Sequence, residues 1–349
     1  MSAPQTILLF FVVLSVLVFA HELGHFVTAK MAGIKVQEFG FGYPPRLFGI
    51  RRGETIYSWN LLPLGGFVKM LGENATPGDP QAFASKPKRV RALVLIAGSA
   101  MNLALAPLLY SGAFMVGVHE ECPTCDRVQV YDVRADTPAD RAGMRTGDVF
   151  VSIAGQTVRD AGEVRQLVRS RGGRETEVVV ERDGHPVTLR MTPREVANEN
   201  EPAIGVSLGD ELVVRRYPVW EAVPLGFQRT GDITRAFLDG MRRIVIREVD
   251  ADLQGPVGIA RETGRAAEAG LTYLLQFTAF LSLNLAIFNM LPFPGLDGAR
   301  LLFVLIEGAR GGRRINPQWE GAVHLVGMML LVTLMLYVSL NDVRRLIPG

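Results

Sequence analysis

Residues 7–25 read ILLFFVVLSVLVFAHELGH, and this stretch decides how the rest of the chain is read. From Ile7 to Ala20 there is no charge, and His21-Glu22-Leu23-Gly24-His25 follows without a break. On a helix, histidines four residues apart share one face, as a zinc pair requires. The glutamate beside the first histidine is then placed to act on a water held at the metal. Ionisable groups are costly at membrane depth, so their presence there marks a functional site. A soluble helix with two surface histidines is the plainer alternative. It fits poorly with the flanks LLFFVVLSVLVFA and FVTAKMAG, which do not suit a solvated helix. The pattern implies metal-assisted proteolysis inside a bilayer.

Composition agrees. The chain has 349 residues, room for more than one domain, and 48% of them are hydrophobic. Its mean hydropathy is +0.20, high for a soluble protein. The net charge is +2, and no basic stripe with interleaved aromatics occurs, so no nucleic-acid partner is expected. Four apolar segments are long enough to span a bilayer: about Thr6 to Gly33, Ala92 to Val118, Leu271 to Leu291, and Ala322 to Leu340. The first is not read as a signal peptide, because no Lys or Arg precedes it and the His-Glu pattern stands where a small-residue cleavage site would be.

Charge sets the expected orientation. Lys35, Arg46, Arg51, Arg52, Lys69, Lys86, Lys88, Arg89 and Arg91 cluster between the first two spans, and Arg300, Arg310, Arg313 and Arg314 follow the third. The positive-inside rule puts both loops in the cytoplasm. Both termini and the insert from about His119 to Gly270 then lie outside, and the motif lies toward the cytoplasmic face. Arg344 and Arg345 run weakly against this.

Between the first two spans, Arg51 to Leu71 reads as a β-hairpin: Thr55 to Trp59 is strand-like, and Pro63 and Gly65-Gly66 mark a turn before Phe67-Val68. It is apolar enough to dip into the membrane, where a strand edge must be covered, and an unfolded peptide could cover it. In the insert, Val128 to Pro193 alternates short strands with turns. Val219 to Val249 reads as an amphipathic helix, lying along the outer membrane face or packed on the soluble domain.

A catalytic zinc takes three protein ligands and keeps one open position. Acids at membrane depth are few, and Asp297 is the best third ligand. It lies in Asn289-Met290-Leu291-Pro292-Phe293-Pro294-Gly295-Leu296-Asp297-Gly298, where Pro292 and Pro294 interrupt the helix and free backbone for a sharp turn. A plain Asp-Gly turn is the alternative.

Ala135 to Val149 followed by Val151-Ser152-Ile153-Ala154-Gly155 resembles a circularly permuted PDZ domain of bacterial proteases. Together with H-E-L-G-H in a first span and N-x-x-P-x-P-x-x-D-G after a third, the chain resembles the site-2 protease family, of the bacterial regulator of sigma-E protease type. The resemblance implies a polytopic α-helical membrane protein with four transmembrane helices, a membrane-associated β-hairpin and an inserted α+β PDZ-like domain. It implies zinc (Zn2+) on His21, His25 and Asp297, Glu22 as catalytic base, and Asn289 holding substrate backbone, with Pro292 and Pro294 beside it; for Asn289, and for Asn102 as a further substrate contact, polar residues that hold helices together are the alternative. The family's G-P-x-x-N motif stands here as Gly98-Ser99-Ala100-Met101-Asn102, with Ser99 for the proline, and Gly255 to Ile259 also matches. One PDZ-like domain is present where some relatives have two, and Ala299-Arg300 follows the Asp-Gly where Gly-His is frequent.

The expected divisions are 1–35, first span; 36–91, re-entrant hairpin region; 92–119, second span; 120–196, PDZ-like domain; 197–270, linker and amphipathic helix; 271–310, third span; and 311–349, fourth span and C-terminus. Expected substrates are single-span proteins of the lipid bilayer, among them anti-sigma factors and leftover signal peptides, in a bacterial inner membrane. A non-catalytic PDZ-type adaptor and a metal transporter are the competing readings; the intact H-E-x-x-H with Asp297 argues against the first, and Glu22 and the soluble peptide-binding domain, which would have no task, argue against the second. Cys122 and Cys125 are read as a small disulfide on an oxidising exterior, with a redox pair or a second metal site with His119 as alternatives. His185 and His324 are read as structural or surface residues.

Overall fold

The computed structural model describes residues 2–73, 78–122, 126–195, 203–248, 255–312 and 316–346. The chain divides into two compact units, Met1–Val116 with Tyr217–Gly349, and Gly117–Arg216.

In the first unit, α1 (Ala3–Met31) is apolar on all sides up to the motif, so packing cannot orient it by amphipathicity. Its start is fixed by Ser2, whose backbone N–H donates to Gln5 at 3.0 Å in a capping box. Its position is fixed by Gly24: a Cβ there would lie 2.2 Å from the Ala97 carbonyl oxygen, so α1 and α2 (Lys88–Val116) touch backbone to backbone.

Between them, β1 (Val36–Arg52) pairs antiparallel with β2 (Thr55–Met70). The chain reverses at Gly53 (φ +64), with Arg52 opposite Thr55 and pairing continuing to Arg46 opposite Asn60. The first part of β1 has partners on both sides. Phe39 lies beside Tyr57 and beside Val68; Phe41 lies beside Trp59 and beside Gly66. Residues 36–41 are thus inserted between 56–59 and 66–70. The result is a sheet four segments wide, with 46–52 and 66–70 as its edges. Pro44 and Pro45, which carry no N–H, break β1 between its two segments, and Gly65 (φ +125) helps turn β2 between its own. The expected hairpin over Arg51 to Leu71 is corrected: the chain does turn near Pro63 to Gly66, but the strands on either side are not neighbours. The inserted segment wins its place by packing, since Phe39 lies 5.6 Å from Phe19 and 4.9 Å from Phe26 of α1, ring centre to ring centre.

After the insert come α5 (Val219–Val245), α6 (Pro256–Ala269), α7 (Leu271–Asn289), α8 (Asp297–Ala309) and α9 (Pro317–Leu346). Four helices are long and apolar enough to cross a membrane: Ala3–Met31, Lys88–Val116, Leu271–Asn289 and Gln318–Asp342. Helix α5 is not among them, and its placement corrects the sequence reading. Tyr217 meets Phe114 at the end of α2, Gly226 sits against Pro107 and Ser111, and Phe237 meets Phe288 at the far end of α7. The amphipathic helix therefore runs lengthwise beside the spans instead of lying across their ends. Asp342 of α9 accepts from the backbone N–H groups of Gly255 and Gly258, both at 2.9 Å, and so caps α6. A buried pair, Arg91 donating to Glu307 at 2.6 Å, ties α8 to α2.

The second unit holds a two-stranded sheet, β3 (Val118–Glu121) with β10 (Leu212–Arg215), and a larger one. In the larger sheet the order is β8 (His185–Met191), β7 (Thr176–Arg182), β5 (Val149–Ile153), β4 (Val128–Val133), β9 (Val206–Asp210), with β6 (Gln156–Thr157) beside β5. Helices α3 (Pro138–Arg141) and α4 (Ala161–Ser170) are capped by the side chains of Thr137 and Asp160. Val128, Val130, Phe150, Ile153, Val164 and Val180 form its core. The unit reaches past residue 196 because β9 pairs antiparallel with β4. Asp148, nearly fully buried, receives both arms of Arg182 at 2.7 and 2.8 Å, and that carboxylate holds the guanidinium above its usual pKa. Cys122 is disulfide-bonded, whereas Cys125 lies outside the described residues.

Candidate active site

His21 and His25 leave one face of α1 with ring centres 4.8 Å apart. Both are buried, 7% exposed each, on a segment otherwise surrounded by apolar side chains. The third expected ligand joins them across the whole chain: Asp297 Oδ2 lies 3.0 Å from His21 Nε2 and 3.1 Å from His25 Nε2, and the two Nε2 atoms are 3.2 Å apart. No other His, Cys, Asp or Glu completes such a group among the described residues.

This triangle fits a zinc ion. The edge of a tetrahedron of ligands about 2.0–2.1 Å from zinc is about 3.4 Å. His25 Nδ1–H donates to the Val94 carbonyl at 2.7 Å, which leaves a lone pair on Nε2. Lone pairs and a carboxylate oxygen converging so closely repel one another unless a cation or a proton lies between them. Room for an ion is provided by Gly98 of α2, where a Cβ would lie 2.4 Å from His25 Nε2 and 2.7 Å from His21 Nε2.

His21 has its own support. Asn102 is fully buried, its Nδ2 is 3.4 Å from His21 Nδ1, and its Oδ1 has no partner. A ligating Nε2 puts the ring hydrogen on Nδ1, which needs an acceptor. Turning the Asn102 amide over supplies Oδ1 and satisfies both groups. Asn102, expected at the substrate, is thus sealed against the first histidine, with no surface for a substrate to touch. Ser282 of α7 donates to the Asn102 carbonyl at 2.8 Å and holds that turn of α2.

The loop that carries Asp297 is held from several sides. Gly298 is required, since a Cβ there would meet the Leu291 carbonyl oxygen at 2.2 Å. Pro294 packs against Gly327 of α9, and Gly295 N–H donates to His324 Nδ1 at 3.0 Å. His324, read from the sequence as a structural or surface residue, is structural, although the loop it serves is not specified there. Its one signal was a histidine inside an apolar span. Arg300, one turn beyond Asp297, is paired with Glu73, and this ties α8 to the segment that follows β2. Pro292 is exposed, Pro294 is taken up by α9, and Asn289 ends α7 half-buried.

A cavity of about 260 Å³ opens onto the group, lined by Glu22, His21, His25 and Asp297 with Gly66, Val68 and Arg300. One wall is the 66–70 edge of the sheet. A Cβ at Gly66 would lie 3.6 Å from Glu22 Cγ, so this edge passes directly by the glutamate.

The model for peptidase family M50 matches residues 9–334. The regulator of sigma-W protease RasP of Bacillus subtilis is 31% identical over 98% of this chain and 99% of its own. The zinc metalloprotease RasP of Oceanobacillus iheyensis is 30% identical over 98% and 99%. A Clostridium perfringens relative is 36% identical over 94% and 96%. A solved PDZ domain of an SdrC-like protein from Listeria monocytogenes is similar at 22% identity, covering 25% of this chain and 92% of that one, with a TM-score of 0.22.

Proposed function

Because the chain belongs to peptidase family M50, as a site-2-type zinc metalloendopeptidase of the membrane, we propose that it cleaves the membrane-spanning segments of single-span proteins. His21, His25 and Asp297 hold the zinc, and Glu22 is the base. The observation that carries this reading is one cavity that holds the ligand triangle, Glu22 and an unpaired strand edge.

Zinc, when bound, lowers the pKa of a water toward about 7 and polarises a carbonyl. Glu22 takes a proton from the attacking water and passes it to the leaving amide nitrogen as the C–N bond breaks. Such transfer contributes roughly 10²- to 10⁴-fold. A helical substrate hides its carbonyls in its own hydrogen bonds, so the cleaved segment must unwind. Pairing with residues 66–70 replaces those bonds and holds the chain extended beside Glu22. Asn289, the last residue of α7, holds further substrate backbone. The sheet enters the membrane from the cytoplasmic side, and the termini and the Gly117–Arg216 unit lie outside, where that unit acts as a PDZ-like module that admits or binds trimmed ectodomains. The substrates are anti-sigma factors of the kind implied by the name of the Bacillus relative, together with signal-peptide remnants.

Cleavage of a model single-span substrate by the purified protein in detergent tests this, comparing wild type, Glu22→Gln, Asp297→Ala and a chelated sample. Loss of cleavage in the last three, with zinc content lost only in the last two, is the expected result. If Glu22→Gln cuts as fast as wild type, the reading fails and the adaptor role replaces it.

A further inference from the structure

A second concavity, of about 450 Å³, lies between α2, α5, α6 and α7. Its lining includes Arg229, Arg265, Glu262 and Tyr273, with Ile233 and Phe277 one turn further along α5 and α7. Along α2, Tyr110 of the same lining is about 24 Å from Val94, the neighbour of His25, so this groove is separate from the ligand triangle.

Its level follows from the helix ends. Tyr273 is in the first turn of α7, and Tyr110 lies about 9 Å inside the end of α2. Tyr273 is exposed and stands where interfacial aromatic rings stand, whereas Tyr110 is packed among the helices. Arg229 is one turn beyond Gly226, which abuts Pro107 and Ser111 of α2, so its Cα is already below that interface. An arginine at this depth is costly unless something neutralises it. The nearby carboxylates are taken: Asp232 pairs with Arg235, and Glu262 is shared by Arg265 and Arg261. Among the described residues Arg229 has no acidic partner. The groove thus joins a net positive end just below headgroup level to an aromatic and aliphatic floor that leads toward the bilayer core. A soluble anion would use only the first of these features.

We infer that this groove holds an anionic phospholipid, with the phosphate at Arg229 and Arg265 and an acyl chain along Ile233 and Phe277. The lipid neutralises the cation at Arg229 and fills the seam between the amphipathic helix and the third span.

Native mass spectrometry of the full-length, delipidated protein tests this, titrating phosphatidylglycerol against phosphatidylcholine. One phosphatidylglycerol should be retained per chain in preference to phosphatidylcholine. Arg229→Gln should weaken it roughly fivefold or more, since one surface arginine contributes about that factor toward anionic lipid. Arg229→Lys should restore most of the binding, and Arg165→Gln, on α4 of the Gly117–Arg216 unit, should change nothing. These two variants separate lost binding from lost folding. Equal retention of both lipids, or an unchanged Arg229→Gln, overturns the proposal. Full displacement by glycerol 3-phosphate also overturns it, because the groove would then be a site for soluble anions.

Discussion

The two histidines and the aspartate reach the same point by different physics. His21 and His25 need only a helix: four residues of regular backbone set their spacing, and α2 closes over them. Asp297 sits on an interrupted segment, and nothing local fixes it. Its position depends on Gly298 folding back on Leu291, on Pro294 against Gly327, on Gly295 bonded to His324, and on Arg300 paired with Glu73. One half of the proposed ligand set is made by secondary structure and the other by tertiary contacts. The first half should tolerate change in its surroundings; the second should not.

The strongest test removes one ligand from each half. Asp297→Ala is expected to match His21→Ala, with zinc and cleavage both lost, as measured by metal analysis of the purified proteins. If Asp297→Ala keeps a full complement of zinc, the loop is not a ligand and the comparison collapses. Glu22→Gln comes next: cleavage should fall roughly 10²- to 10⁴-fold with zinc retained, because the base is distinct from the ligands. His324→Phe sharpens the comparison. It touches neither the metal nor the substrate, yet zinc affinity should weaken roughly 10- to 100-fold in a competitive chelator titration, as for other outer-shell partners. His324→Asn, which can still accept from Gly295, should recover part of that loss. An unchanged affinity in His324→Phe would show that the loop holds itself. The smallest effect is expected in the other unit. Asp148→Asn, which leaves Arg182 without its anion, should lower the unfolding free energy of Gly117–Arg216 by about 1–3 kcal/mol and leave zinc content untouched.

Legibility in the sequence follows the same division. The histidine pair, the glutamate and the four spans were readable because their information is local, in spacing and in runs of apolar residues. Asp297 could be placed near the pair only through the prolines and the expected depth of the third span. The sheet was misread because its central segment, 36–41, takes neighbours from two other stretches, and no local pattern specifies such an insertion. Helix α5 was recognised as amphipathic, but its apolar face could have met lipid or protein. The choice was made by Gly226, which lets α5 close on Pro107 and Ser111. His324 is legible only as a structural or surface residue, because its partner is a backbone N–H, which leaves no mark on composition.

Gly98 brings a consequence of another kind. Its missing side chain is the space in which three donor atoms meet, and a single methyl there would come within 2.4 Å of His25 Nε2. A one-base change in that codon can supply the methyl. The chemistry of the molecule is therefore written in two places: in a motif whose side chains announce it, and in a position opposite whose whole contribution is a hydrogen atom. Any attempt to transplant this metal centre into another helical bundle must carry over the empty position along with the occupied ones.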